Sequence, residues 1–145
     1  MQLAQGLGFT LVSKASDAAP EVAEVIIGLT QNMKENLAKY GDVLSFETTN
    51  YSVVDNFNKD KRYYLGLFSV FDSNCRTLMA GIALYGSDTV ASIYKTIKAY
   101  IKNIEKKPST IITSQQPNVV RTMDILKEIG IYKGVHLVDR HRVLE

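Results

Sequence analysis

Two stretches of the chain could each bring a functional side chain to the end of a buried strand. The stretch GDVLSFETTN (41–50) carries one acid, Glu47, after apolar residues and before two threonines and an asparagine. The stretch STIITSQQP (109–117) repeats this design, with Ser114 at the position where a second acid could stand. Two carboxylates that converge from different strands can hold a pair of Mg²⁺ or Mn²⁺ ions, which activate a nucleophile and stabilise a leaving oxygen. The question is whether a glutamate and a serine form such a site or the remains of one.

Serine at position 114 counts against a working metal site. Mg²⁺ and Mn²⁺ take oxygen ligands and use one or two protein carboxylates per ion, for which a neutral hydroxyl is a poor substitute. Glu47 is also longer than an aspartate by one methylene, on the order of 1.5 Å, which would displace a metal ion from in-line geometry. We therefore predict no bound metal and no other cofactor. We interpret Glu47 as a partly exposed carboxylate that hydrogen-bonds Thr48 or Asn50.

The histidines and the cysteine do not have the spacing of a zinc site. His136 and His141 are five residues apart, and Cys75 is the only cysteine. A structural zinc site needs four ligands, usually in two close pairs, so we predict none. We interpret His136, within GVHLV, as a half-buried strand residue.

Basic residues could contact phosphates at one predicted turn. The segment NKDKR contains Lys59, Lys61 and Arg62, and the run KNIEKK (102–107) adds further lysines. A run of charges is more often a solvated face than a binding site. The net charge is only +2, from 17 basic and 15 acidic residues, which is too small to favour nucleic acid by bulk electrostatics.

Length and composition are those of a single globular domain. The chain has 145 residues, of which 46% are hydrophobic and 22% are charged. A domain of this size buries about two thirds of the surface that its unfolded chain exposes. No apolar run reaches the roughly 18 residues of a membrane span, and no basic region precedes the first apolar residues as in a signal peptide. These features, with a lone cysteine, predict an intracellular protein of the nucleus or cytoplasm with no membrane partner.

Hydrophobic periodicity predicts an N-terminal strand–strand–helix unit over residues 1–40, packed on a core over residues 41–145. Its clearest element is the helix SDTVASIYKTIKAYIKNIEKK, with an apolar stripe and with Ser87 or Asp88 as N-cap. An Asp-Ser-Asn turn predicts a hairpin between two of the strands. The predicted strands are 8–12, the second half of 21–30, 42–49, 62–72, 76–86, 109–114 and the start of 134–145, and the predicted helices are 30–41, 87–107 and 118–130.

The order of these elements predicts the fold class. Hairpin-connected strands come first and helix crossovers to parallel strands follow, so we expect one mixed α/β sheet with helices on its faces. This is the ribonuclease-H-like arrangement. In open sheets with crossovers, function concentrates at the carboxyl ends of strands, where both Glu47 and Ser114 should lie.

Four segments of the chain carry a family resemblance. GDVLSFETTN, RTLMAGIALYGSDTVASIYKTIKAYI, PSTIITSQQPNVVRTM and VHLVDRH resemble, in that order, the transposase domain of Mutator-like elements (MULE). The resemblance covers residues 40–143. Each segment is weak by itself, and it is their order and spacing that make the match specific.

The resemblance implies roles for individual positions. Glu47 stands where the family has its first catalytic aspartate, and residues 48–50 look like the polar flank of that motif. Ser114 stands where the second catalytic aspartate belongs, and Gln116 stands where the family often has another acid. The framework therefore matches the family, whereas the acids that would perform the chemistry do not.

The C-terminal part departs from the family in a similar way. Val138 replaces the cysteine of a Cys-x-x-His element, while His141 matches its histidine. The third catalytic acid of the family lies further downstream than Glu145, so the resemblance implies a core that is incomplete at its C-terminal end.

These departures predict a transposase-derived domain that has lost cleavage activity. Its function would be recruitment, as a protein-interaction module of a DNA-binding or transcription-regulating protein. The resemblance implies that a separate zinc-containing domain reads the DNA. The alternative is a fragment of an active Mutator-type transposase or nuclease whose other acids come from outside the chain, with Mg²⁺ or Mn²⁺ as cofactor. Self-association is a third possibility.

Overall fold

The computed structural model describes the backbone of residues 9–15, 23–54 and 62–139, and the side chains of residues 25–49 and 63–139. Within these ranges the elements follow the predicted order. The strands are β1 (Phe9–Ala15), β2 (Ala23–Thr30), β3 (Val43–Val54), β4 (Arg62–Phe71), β5 (Thr77–Tyr85), β6 (Thr110–Ser114) and β7 (Val135–Asp139). The helices are α1 (Gln31–Tyr40), α2 (Val90–Asn103) and α3 (Pro117–Glu128). The helix expected to begin after the last strand falls on residues 140–145, outside the described part.

These strands form one seven-stranded sheet in the order β1-β2-β5-β4-β3-β6-β7. The first five strands in this order, β1, β2, β5, β4 and β3, are antiparallel to one another in sequence across the sheet. Strand β6 is parallel to β3, and β7 is parallel to β6. An antiparallel region is therefore followed by parallel strands that are reached through α2 and α3. The structure confirms the α/β class and the ribonuclease-H-like mixed sheet. It also shows that β1 and β2 continue this sheet beyond β5.

The turn between β4 and β5 is the predicted hairpin. The Asp72 carboxylate accepts hydrogen bonds from the backbone N–H groups of Asn74 and Arg76, both at 2.9 Å, and from the Arg76 guanidinium at 3.0 Å. These bonds, above all the one from the Arg76 backbone, hold the pKa of Asp72 below its usual value. An aspartate that bonds the backbone two residues on stabilises a turn locally, so this feature is readable from sequence.

The apolar core lies on one side of the sheet. Successive side chains of a strand point to opposite sides, and the buried side chains of all three helices belong to one core cluster. We call this side the helical face and the other side the open face. Apart from Ala80 at a bulge, the buried apolar side chains of the strands share the helical face: Val25, Ile27, Leu29, Leu44, Phe46, Phe68, Val70, Ala83, Tyr85 and Ile111.

The open face is apolar as well, although its side chains are less buried. By the same alternation, it presents five partly exposed apolar side chains at the centre of the sheet: Leu65, Leu67, Ile82, Leu84 and Ile112. Within the described residues, no helix contributes a buried side chain to this face.

An aromatic stack positions α2 on the helical face. The Tyr100 ring lies parallel to the Phe68 ring, with 3.6 Å between centroids and 5° between planes. The Tyr100 hydroxyl donates to the carbonyl oxygen of Ala80 at 2.7 Å. Gly81 makes room for this ring, since a Cβ at that position would lie 2.6 Å from Tyr100 Cε2. A glycine opposite an aromatic residue therefore sets how closely α2 approaches β5.

The predicted N-cap of α2 is wrong by one or two residues. Thr89, rather than Ser87 or Asp88, precedes the first helical turn with an extended backbone, and its hydroxyl oxygen accepts from the Ser92 N–H at 3.2 Å. Only the residue directly before the helix can place its side-chain oxygen near this N–H. The Ser87 hydroxyl lies 2.7 Å from that of Ser92, and Asp88 bonds to another element.

Helix α2 also ends earlier than predicted, at Asn103 instead of Lys107. Ile104 has an extended backbone, with φ −101° and ψ 142°. The Lys107 ammonium turns back and donates to the carbonyl oxygens of Ile101 and Ile104, which satisfies acceptors at the helix end. None of the helices in the described ranges has the length and apolar character needed to cross a membrane.

Candidate functional site

Glu47 and Ser114 lie side by side on adjacent parallel strands. Phe46 of β3 is in register with Thr113 of β6, and both of these residues are buried. The residues that follow them, Glu47 and Ser114, therefore point to the open face, and both are partly buried. The structure thus brings together the two residues that the sequence singled out.

Glu47 is not at the end of its strand, contrary to the prediction. Ser114 is the last residue of β6, but β3 continues to Val54. The extension pairs with β4 beyond a register irregularity between Thr48 and Ser52. Antiparallel pairing with β4 thus supports β3 further than β6 does, and Glu47 lies at the level where β6 stops.

A second acid, Asp139, completes a row that the sequence analysis missed. Asp139 of β7 is in register with Ser114, so Glu47, Ser114 and Asp139 occupy neighbouring strands at one level of the open face. We call these three residues the acid–serine row. Adjacent strands are about 4.8 Å apart, so the backbones that carry the two acids are separated by roughly 10 Å. The signal available in the sequence was the final acid of VHLVD at a strand end.

The residues of the acid–serine row do not fit a two-metal centre. Two catalytic ions lie about 3.5–4 Å apart and need carboxylates close to both. Here the middle position, on β6, is a neutral serine, and the two acids are on the strands to either side of it, β3 and β7. Among the described residues, no three His, Cys, Asp or Glu side chains are grouped closely enough to hold a metal ion. No catalytic step through a metal follows from this arrangement.

The polar flank of Glu47 serves a structural network on the other side of the sheet. The Thr48 hydroxyl donates to Gln116 Oε1. Gln116 Nε2 in turn donates to the Asp88 carboxylate, at 3.1 and 3.4 Å, and Asn118 Nδ2 donates to the Asp88 carbonyl oxygen at 3.1 Å. This amide clasp, formed by Thr48, Gln116, Asp88 and Asn118, joins β3 to the N-terminal ends of α2 and α3. The Gln116 side chain therefore holds elements together, while its backbone N–H donates to the Ser114 hydroxyl at 3.5 Å.

Thr49 and Asn50 are the other two residues of the predicted polar flank. Thr49 Oγ1 donates to the Leu65 carbonyl oxygen across the β3–β4 pair, at 3.5 Å. The side chain of Asn50 lies outside the described residues.

His136 is a half-buried strand residue, as predicted. Its Nε2 lies 2.7 Å from the Thr113 hydroxyl. Burial lowers the pKa of His136; Asp124 opposes this effect and Lys127 adds to it. Cys75 is exposed in the turn between β4 and β5, from which β3 and β6 separate His136. The structure therefore does not bring these two candidate zinc ligands together, and His141 lies outside the described residues.

The structure describes the second of the two basic runs that could contact phosphates, residues 102–107. Lys59 and Lys61 lie outside the described residues, as does the side chain of Arg62 at the start of β4. In the second basic run, Lys106 Nζ pairs with the Asp42 carboxylate at 3.2 Å. Lys107 bonds the end of α2, as described above.

An open cavity of about 630 Å³ lies between α1 and the segment after α2, with Leu29, Leu37 and Ile104 in its wall. Helix α1 begins where β2 ends and leads back to the start of β3. This places the cavity at the opposite end of the strands from the acid–serine row, so it does not belong to the same site.

Position 138 carries an exposed apolar residue rather than a potential ligand. Val138, at the position where the resemblance implies a cysteine, is 37% exposed and is in register with Thr113 on the helical face.

Comparison of the chain with known protein families, with curated proteins and with solved structures finds no significant match.

Proposed function

We propose that this chain is a catalytically inactive domain related to Mutator-like transposases, which acts as a protein-interaction or recruitment module of a DNA-binding or transcription-regulating protein in the nucleus or cytoplasm. The observation that carries the proposal is the acid–serine row. At the end of the strands where a ribonuclease-H-like nuclease needs converging carboxylates, Ser114 occupies the middle position between Glu47 and Asp139. A hydroxyl there supplies no charge to hold metal ions.

The surface supports an interaction role for the domain. Five large apolar side chains are exposed in the described part of the chain, and four of them fall within ten residues: Ile129, Val135, Leu137 and Val138. Three of them, Val135, Leu137 and Val138, belong to the edge strand β7, and exposed apolar side chains that lie together mark interaction sites in proteins.

Calorimetric titration of residues 1–145 with MnCl₂ tests the loss of the metal site. We expect no affinity tighter than millimolar, for the wild type and for Glu47→Gln alike. Glu35→Gln is a matched control, because Glu35 is an exposed residue of α1 at the opposite end of the strands from Glu47. Micromolar Mn²⁺ binding that Glu47→Gln abolishes and Glu35→Gln retains would overturn the proposal.

The rival is a fragment of an active Mutator-type transposase or metal-dependent nuclease. One observation favours it, namely that Glu47 and Asp139 are on the same face at the same level. In a plasmid-nicking assay with Mn²⁺ on a protein that includes the flanking segments of the reading frame, the rival predicts cleavage that is lost in both Glu47→Gln and Asp139→Asn. Our proposal predicts no nicking above that of either variant.

A further inference from the structure

Strand β7 lies at the edge of the sheet, and its five residues include no lysine, proline or bulge. Within the described residues it pairs only with β6, and that register is regular from Val135 to Asp139. Native edge strands are commonly protected by lysine, proline or a bulge. The sequence VHLVD has none of these, although it is short and ends in one charge, Asp139. Among the described residues, no strand pairs with the side of β7 that faces away from β6.

Both faces of this edge strand are apolar and exposed. Val135 and Leu137 are on the open face and are 52% and 51% exposed, and Val138 on the helical face is 37% exposed. Pairing with another strand would cover these side chains on both faces at once. A partner that covered only one face of the sheet would leave part of this surface in water.

The direction of the backbone groups determines which residues can pair outward. The Val135 N–H donates to the Ser109 carbonyl oxygen of the neighbouring strand at 2.8 Å, so the polar backbone groups of Val135, Leu137 and Asp139 face β6. Backbone groups alternate in direction along a strand. Those of His136 and Val138 therefore point outward, symmetrically placed about Leu137.

We propose that β7 pairs antiparallel with β7 of a second copy of this chain, about a two-fold axis at Leu137. This register sets His136 of each copy opposite Val138 of the other, so that all outward backbone groups of both strands bond. It places Leu137 opposite Leu137 as a pair that is not hydrogen-bonded, in which side chains are closest. The two sheets then form one continuous sheet.

Symmetry and charge favour a second copy over an unrelated extended peptide. A two-fold axis pairs one surface with itself, which is the commonest arrangement of protein homodimers. In the proposed register Asp139 lies opposite Val135 of the other copy, two residues along the chain from Lys133, an exposed residue that precedes β7. Opposite charges close to one another across a strand pair stabilise it. The inference is independent of the proposed function, since it holds whether or not the domain cleaves nucleic acid.

Disulfide formation tests the register directly. In a Cys75→Ser background, which removes the exposed native thiol, Leu137→Cys should oxidise to a covalent dimer because its Cα atoms would be about 4.5 Å apart. Val135→Cys is the matched control, because Val135 has the same exposure and face. In this register two copies of residue 135 are roughly 13 Å apart along the strand, so this variant should stay monomeric on a non-reducing gel. Cross-linking through residue 135 in preference to residue 137 would overturn the proposal.

Sedimentation of the wild-type chain over a range of concentrations gives a second measurement. We expect a reversible dimer that Leu137→Lys abolishes, since lysine at the centre of the pair places two charges together. Ile129→Lys should leave the dimer intact, because Ile129 is 53% exposed but lies outside β7. A wild-type chain that stays monomeric at every concentration, or a dimer that survives Leu137→Lys, would rule out this interface.

Discussion

Ser114 lies between two carboxylates, and its neutral side chain spaces them apart. A carboxylate at this position would lie about one strand spacing, 4.8 Å, from those of both Glu47 and Asp139. Like charges this close repel one another and raise the free energy of the folded state. Relief of this repulsion is a physical reason for a neutral residue at this position.

Replacing Ser114 by aspartate should destabilise the metal-free protein by about 1 kcal/mol at neutral pH. Ser114→Asn has nearly the same shape without the charge and should be the more stable of the two. The difference should shrink below about pH 4, where carboxylates become protonated. Urea unfolding of both variants at the two pH values measures it. Equal stabilities at neutral pH would mean that the acids do not flank position 114.

Buried tyrosines should make the protein sensitive to alkali. Burial raises the pKa of Tyr100 and of Tyr85, and it raises the pKa of Tyr132 to about 12. Above about pH 10 the unfolded chain loses these protons and the folded chain keeps them. The free energy of unfolding should therefore be unaffected by these groups below about pH 10 and fall as the pH rises above it.

The variant Tyr100→Phe isolates one of these contributions. It removes the hydrogen bond to the Ala80 carbonyl, so it should cost about 1 kcal/mol at pH 8. Its stability should then decline less steeply than that of the wild type above about pH 10, because one titrating group is gone. Chemical denaturation across this range measures both slopes. Parallel curves would show that Tyr100 is not kept protonated by the fold.

At the scale of the elements, local signals predicted which segments form strands and helices. The apolar stripe of α2 and the hairpin residues around Asp72 act through neighbours close in the chain, so sequence alone reveals them. Helix ends were less predictable. The early end of α2 depends on the backbone of Ile104 and on a lysine several residues beyond the last turn.

The contact between α2 and β5 should be sensitive to a single methyl group. Gly81→Ala would place a Cβ 2.6 Å from the Tyr100 ring, which is stacked and has little room to move. We expect a loss of about 1–3 kcal/mol from this overpacking. Gly130→Ala is the control, because a Cβ there meets nothing within 4 Å, although φ is +79°.

The two glycine variants should differ in how much stability they regain when Tyr100 is also replaced. Tyr100→Leu should restore part of the stability of Gly81→Ala by removing the ring and should not help Gly130→Ala. Thermal unfolding of the single and double variants measures this coupling. Additive losses at Gly81 and Tyr100 would contradict the proposed contact.

At the scale of the whole molecule, the charge balance predicts weak binding to DNA. With a net charge of +2, residues 1–145 alone should bind duplex DNA non-specifically, with a Kd of roughly 10⁻⁴–10⁻⁶ M that weakens steeply with salt. Replacing Lys59, Lys61 and Arg62 by alanine should reduce the salt dependence if these residues contact phosphates. Fluorescence anisotropy with two unrelated duplexes measures both. A nanomolar, sequence-selective complex would contradict the view that another domain reads the DNA.

The sequence by itself determined the class of the fold, because the periods and turn signals that define strands and helices are local. It also identified Glu47 and Ser114 as a pair, since each follows a run of apolar residues. Only the tertiary structure decided that Asp139 joins them, because the register of β6 with β7 depends on contacts across the sheet.

The same distinction applies to the sides of the sheet. Strand β4 is apolar on both sides, with Leu65 and Leu67 on one and Phe68 and Val70 on the other, so its pattern cannot show which side the helices cover. The packing of Tyr100 against Phe68 and Gly81 decides it. That choice also separates the side chains of Thr48 and Gln116 from those of the acid–serine row. A strand sends alternate side chains to opposite faces, so residues adjacent in sequence can belong to different sites.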